Sequence, residues 1–185
     1  MSSLIRAFIA LPLPAQICQQ AMELQTQLKQ KNSVRVSWAK SEKMHITLKF
    51  LGEISQNRLK RIQHVLHEVT QSAHHIKLQF EDIGCFPDTK TAKVVYWRVL
   101  DVNQMLIPLQ QTIETKLQPL GFARENRSFI PHLTLGRIRD RLLAAYQLAP
   151  VQACPDPVLV EHVHLMQSLG SNGASYTILK TYPLI

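Results

Sequence analysis

The stretch MHITLKFLG, residues 44–52, contains the tetrad His45-Ile46-Thr47-Leu48, and PHLTLGR, residues 131–137, writes the same pattern again as His132-Leu133-Thr134-Leu135. Successive side chains of a β-strand point to opposite faces. His45 and Thr47 therefore project one way while Ile46 and Leu48 project the other, so the apolar pair anchors a core and the polar pair faces a cleft. The second copy obeys the same rule, with Leu133 and Leu135 as its anchors. One copy alone is an ordinary half-buried strand. A chain of this composition supplies roughly 0.1 such tetrads by chance, so two together are on the order of a few in a thousand. Nothing between the copies repeats, which makes their meeting in space, rather than a tandem array, the expectation to test.

Outward from the tetrads, the hydrophobic period alternates between strand and helix. Residues 4–10, LIRAFIA, form a short apolar run closed by prolines, as a buried strand does. Ile17, Ala21, Leu24 and Leu28 recur at helical spacing after Pro14, predicting a helix over 15–30, and VRVSW (34–38) reads as a strand. Gly52 is a stop for the first tetrad strand, and Ser55 is an N-cap for a helix striped by Leu59, Ile62, Leu66 and Val69. IKLQFEDIGCF (76–86) and AKVVYWRVL (92–100) are strands around a turn at Pro87-Asp88. Asp101 opens a further helix with Met105, Leu109, Ile113 and Leu117 on one stripe, ended by Gly121. After the second tetrad come a short basic segment, a proline-rich connection at 150–157 and two final strands, VLVEHVHLMQSL and ASYTILKTY. Adjacent strands punctuated by helices predict an α+β fold with antiparallel sheets, all of residues 1–185 in one domain without a linker.

Composition narrows the function. The chain has 185 residues, 45% of them hydrophobic, enough to bury a core. Lys and Arg outnumber Asp and Glu by 21 to 13, a net charge of +8 that favours an anionic partner. No apolar run approaches the roughly 20 residues that cross a bilayer, so no membrane association is expected. No P-loop or dinucleotide-binding glycine pattern is present, which argues against a nucleotide cofactor. Arg6 in the first apolar run, with Pro12 and Pro14 behind it, does not suit a signal peptide. Cys18, Cys85 and Cys154 lack disulfide or metal spacing, and a reducing cytoplasm suits them.

Two imidazoles and two hydroxyls suit phosphodiester chemistry without metal. Hydrolysis of a P–O bond needs a base to take a proton from water and an acid to give one to the leaving oxygen. Histidine fills either role near neutrality. Threonine hydroxyls donate to the non-bridging oxygens. The two motifs are locally alike, so their chemistry does not say which histidine is acid and which base. A phosphate-gripping site without turnover and a metal site built on the histidines are the alternatives.

RAFIALPLP, MHITLKFLGE, RSFIPHLTLGR and SLGSNGASYTIL together resemble the bacterial and archaeal RNA 2′,3′-cyclic phosphodiesterases, or 2′-5′ RNA ligases, of the two-histidine (2H) phosphoesterase superfamily. The resemblance implies a bilobal fold, two pseudo-symmetric lobes of antiparallel sheet with flanking helices, each giving one motif to a central cleft. It implies opening of a terminal 2′,3′-cyclic phosphate to a 2′-phosphate without metal, ATP or other cofactor, and reversible 2′-5′ ligation in tRNA processing. His45 would be the proton donor to the leaving 3′ oxygen, His132 the proton acceptor that activates water, and Thr47 and Thr134 the phosphate binders. Arg6, Arg127 and Arg137 stand where such proteins carry arginine. The expected partner is RNA with a 2′,3′-cyclic phosphate or a 2′-5′ linkage, and a monomer is expected.

Two positions depart from the family pattern. Ile130 stands before Pro-His where a polar or basic residue is common, and Ser37 precedes Trp38 where arginine is frequent, with Arg35 as a substitute. Lys49 shares strand parity with His45 and Thr47 and is a candidate substrate contact, while Lys40, Lys43, Arg139 and Arg141 add positive potential around both motifs. Trp38, Phe50 and Phe86 are candidate stacking surfaces. His162 and His164, in HVH, share a strand face but lack a spaced set of further ligands for zinc, so a solvated or core pair is the expectation. His74 and His75 read as the end of a helix, and His64 and His67 as its polar side.

Overall fold

Two antiparallel sheets carry the two tetrads, one each. The computed structural model describes residues 4–140, 145–148, 156–170 and 175–185. In chain order its elements are β1 (Ile5–Pro12), α1 (Ala15–Lys31), β2 (Val36–Trp38), β3 (His45–Ile54), α2 (Gln56–Thr70), β4 (Ile76–Phe86), β5 (Val94–Asp101), α3 (Leu106–Leu117), β6 (His132–Ile138), β7 (Val158–Val160), β8 (His162–Leu169) and β9 (Ser175–Pro183). The first sheet has the order β3-β1-β8-β9 and the second β2-β6-β5-β4-β7. The fold is α+β, as the alternation of strands and helices predicts.

Local chemistry explains the helices. Pro14 precedes α1, whose Ile17, Ala21, Leu24 and Leu28 form the buried stripe, and the Asn32 amide and side-chain nitrogen both donate to the Leu28 carbonyl to close it. Ser55 accepts from the Arg58 amide and caps α2, which buries Ile62, Leu66 and Val69. The α1 helix packs on β6 of the second sheet, while α3 packs on β3 and α2 on β9 of the first. Each sheet thus has one face against helices and the other turned inward, where β3 and β6 lie against one another.

Four sequence expectations change. Gly52 does not end β3; it sits inside the strand at φ +67°, a left-handed conformation that glycine adopts without cost, and the strand runs on to Ile54. Asp101 is the last residue of β5 and caps α3 from outside, its carboxylate accepting from the Met105 and Ile107 amides. The single strand expected over VLVEHVHLMQSL divides at Glu161: β7 pairs with β4 in the second sheet, and β8 pairs with β1 in the first. His74 and His75 lie beyond the end of α2, where the His75 amide donates to the Ile185 carbonyl. Cys18 and Cys85 are buried free thiols; Cys154 lies outside the described residues.

Candidate active site

Each tetrad histidine is held by its own strand's entry. His45 Nδ1 lies 2.7 Å from the Lys43 carbonyl, and His132 Nδ1 lies 2.7 Å from the Ile130 carbonyl, both two residues upstream. A carbonyl only accepts, so Nδ1 carries the hydrogen, and in the neutral ring the lone pair resides on Nε2. His45 Nε2 is 3.0 Å from the Thr47 hydroxyl. No protein hydrogen bond reaches His132 Nε2 among the described residues. Aromatic rings fix both imidazoles: Phe8 at 4.9 Å and Tyr176 at 5.4 Å for His45, Phe86 at 5.1 Å and Tyr96 at 5.4 Å for His132, measured between centroids.

Both strands then break alternation at the same place. In β3 the register with β1 passes from Ala10↔Thr47 to Ile9↔Lys49, skipping Leu48; in β6 the register with β5 passes from Tyr96↔Thr134 to Val95↔Gly136, skipping Leu135. Each is a bulge, in which one extra residue reverses the facing of the residues that follow; in β3 a second shift, which skips Leu51, reverses it again. Leu48 and Lys49 are both buried, as are Leu135 and Gly136, and the next residues, Phe50 and Arg137, are exposed. Each bulge carbonyl is met by a buried glutamine: Gln25 of α1 donates to Leu135 at 3.0 Å and to Ala39 at 2.8 Å, and Gln110 of α3 donates to Leu48 at 3.4 Å.

The bulge corrects the reading of Lys49. Regular alternation would aim it into the cleft with His45 and Thr47, but it is 6% exposed and points to the helix side. Its ammonium donates to Glu114 at 2.6 Å and to the Ala123 carbonyl at 2.9 Å, so it is structural. Conversely, Arg137 falls on the His132 and Thr134 face. Arg6 is exposed, paired in register with Glu53 on β3 and Ser168 on β8, at the far end of the Phe8 face. Arg127 is exposed in the segment before β6, and no contact among the described residues ties it to either histidine. Arg35, the substitute for an arginine at Ser37, has its exposed guanidinium bonded to Asp140 at 2.9 Å. Ile130 is 44% exposed and serves His132 through its carbonyl. Trp38 lies over Gly136 and Phe86 stacks on Tyr96, while Phe50, 67% exposed, is the open ring of the three.

Sequence patterns did not single out Phe8, Tyr96, Tyr176, Gln25, Gln110 or Arg98. Arg98 pairs in register with His132, which places it on the site face, and its guanidinium forms an ion pair with Asp82 at 2.7 Å. The glutamines had a signal: each interrupts the apolar stripe of its helix, Gln25 between Ala21 and Leu28, Gln110 between Leu106 and Ile113. Among the described residues no three His, Cys, Asp or Glu side chains are grouped to hold a metal ion.

Burial lowers the proton affinity of both site histidines. For His45 desolvation is the main cause, opposed by the Lys43 carbonyl bond and reinforced by the His132 charge. For His132 desolvation again leads, opposed by the Ile130 carbonyl and reinforced by the Arg137 guanidinium. Both imidazoles are therefore held below the ordinary value near 6.5.

Comparison with known proteins agrees with this arrangement. Residues 11–96 match the family model described as LigT like Phosphoesterase. The RNA 2′,3′-cyclic phosphodiesterase of Methanocaldococcus jannaschii is 33% identical over 135 residues, 73% of this chain and 72% of that protein. TT0787 of Thermus thermophilus superimposes with a TM-score of 0.81 at 22% identity, covering 97% of this chain and 98% of that one. LigT of E. coli, solved with 3′-AMP, gives 0.78 at 24% identity, covering 98% and 99%. At these identities the two solved structures establish the shared fold.

Proposed function

The chain belongs to the LigT-like phosphoesterases of the two-histidine superfamily, and from that premise we propose that it opens the 2′,3′-cyclic phosphate at an RNA terminus by acid-base catalysis, without a metal or cofactor. The observation that carries this reading is the pair of imidazoles from opposite sheets, each with Nδ1 fixed on a carbonyl and its Nε2 side turned to the tetrad's own face. His132 takes a proton from water, which attacks phosphorus. His45 gives a proton to the 3′ oxygen as the P–O3′ bond breaks, leaving a 2′-phosphate. The unengaged Nε2 of His132 supports its role as base. The Thr47 hydroxyl at His45 Nε2, and Thr134 in the matching position, supply donors to the non-bridging oxygens. Arg137 adds positive potential for an RNA phosphate, and Arg6 extends it along the first sheet.

No helix among the described residues is long and apolar enough to cross a membrane. The buried free thiols Cys18 and Cys85 support a cytoplasmic setting. Incubating the protein with an oligoribonucleotide ending in a 2′,3′-cyclic phosphate, in excess chelator, tests the reading. A 2′-phosphate product is expected. Binding without product would favour phosphate recognition alone, and product that disappears with chelator would favour a metal enzyme.

A further inference from the structure

β8 brings a third histidine to the inward face of the first sheet. Directly paired residues on antiparallel strands point to the same side. Phe8, whose ring lies against His45, pairs with Met166, and Ala10 pairs with Thr47 on one side and with His164 on the other. His164 in turn pairs with Thr181 on β9. One row across the sheet therefore reads Thr47, Ala10, His164, Thr181. Val163 and Leu165, on either side of His164, are fully buried on the opposite face, which fixes its orientation. Adjacent strands are about 4.8 Å apart, so Thr47 and His164 stand on backbones about 10 Å from one another. Between them Ala10 contributes only a methyl, and it is fully buried, so Thr47 and His164 are the polar side chains of that part of the row, beside the position Thr47 would give the reacting phosphate.

We propose that His164 and Thr181 form a second anion site, which holds the phosphodiester preceding the cyclic terminus of an RNA chain. The inference rests on the proposed phosphodiesterase function. The pair repeats across two strands the combination of imidazole and hydroxyl that each tetrad makes along one. Burial and the neighbouring His162 lower the proton affinity of His164, so near neutrality it acts as a neutral ring with one N–H to donate. The site would make the protein favour an RNA chain end over a lone cyclic nucleotide, because only the chain end has a second phosphate to place there.

A cycle of protein and substrate changes tests this. The first substrate is a dinucleotide ending in a 2′,3′-cyclic phosphate; the second is the same molecule with an uncharged methylphosphonate at its internal linkage. In the wild-type protein kcat/KM should fall about tenfold when the internal charge is removed, the worth of a hydrogen bond to a charged group. In His164→Ala/Thr181→Val that discrimination should vanish, and in Thr181→Val alone, at an exposed position, it should be reduced. Equal turnover of both substrates by the wild type, or full discrimination kept by the double variant, would overturn the second site. Failure of the wild type to open either dinucleotide or a 2′,3′-cyclic mononucleotide would instead overturn the function on which it rests.

Discussion

The strands β3 and β6 make the same site from the same four residue types and then part company one step later. Up to the bulge they match: imidazole Nδ1 on the carbonyl two residues upstream, two aromatic rings around each imidazole, a skipped leucine, and a glutamine from a helix on that leucine's carbonyl. After the bulge, Lys49 stands where the other strand has Gly136, and Phe50 where it has Arg137. Behind β3 the space is filled by a buried ion pair with Glu114. Behind β6 it is filled by Val36 and Trp38, so close that a Cβ on Gly136 would lie 2.6 Å from a Val36 methyl. On the cleft side an aromatic ring follows one motif and a cation the other. The tetrad sets where an imidazole and a hydroxyl stand; the two residues after it decide what supports them and which charge they feel, so the halves are not interchangeable.

The comparison breaks first at the histidines. His45→Ala and His132→Ala should each lower kcat by about 10² to 10⁴, since each removes one proton-transfer step. What separates them is the leaving group. Replacing the 3′ oxygen of the cyclic phosphate by sulfur gives a leaving thiolate of pKa about 8.5, which needs little proton donation. This substrate should restore much of the rate to His45→Ala and none to His132→Ala. Rescue of the His132 variant instead would reverse the assignment of acid and base.

Next in size is the ion pair behind β3. Lys49→Met leaves the Glu114 carboxylate buried without its partner, which should cost about 3–5 kcal/mol in chemical denaturation, whereas Lys49→Met/Glu114→Leu should recover most of it. If Lys49 held substrate, Lys49→Met would raise KM and leave the denaturation midpoint in place. Gly136 offers the counterpart, a position with no charge to orphan.

The error over Lys49 shows what the sequence could and could not reveal. Period-2 alternation places His45, Thr47, His132 and Thr134 correctly, because those four precede the bulges. Past Leu48 and Leu135 the same rule misassigns faces, since a bulge depends on a partner strand and a supporting helix far away in sequence. Gln25 is 110 residues from the carbonyl it serves, and Gln110 is 62 from its own. Helices and most strands were legible from local periodicity. The division of 158–169 between two sheets was not, because β7 and β8 read as one apolar run and part only through their pairing with β4 and β1. The aromatic rings around the imidazoles likewise come from strands whose neighbours only the sheet order defines.

The smallest effect tests the difference in charge. Arg137 holds the His132 proton affinity down, so Arg137→Gln should raise it. If His132 is the base, a raised affinity keeps more of it protonated at low pH. The rate on the acid limb of the kcat/KM profile then falls relative to the alkaline limb, whose height depends only on the acid. If His132 were the acid, the same change would lift the alkaline limb instead. Loss of phosphate grip would lower the whole curve uniformly and leave its shape alone, so the shape carries the test. Both imidazoles start below their ordinary value, which puts the wild-type maximum on the acid side of pH 6.5. Phe50, in the matching place on β3, holds no charge, so Phe50→Leu should leave the relative height of the limbs unchanged, and a change of shape there would mean that charge does not distinguish the two halves.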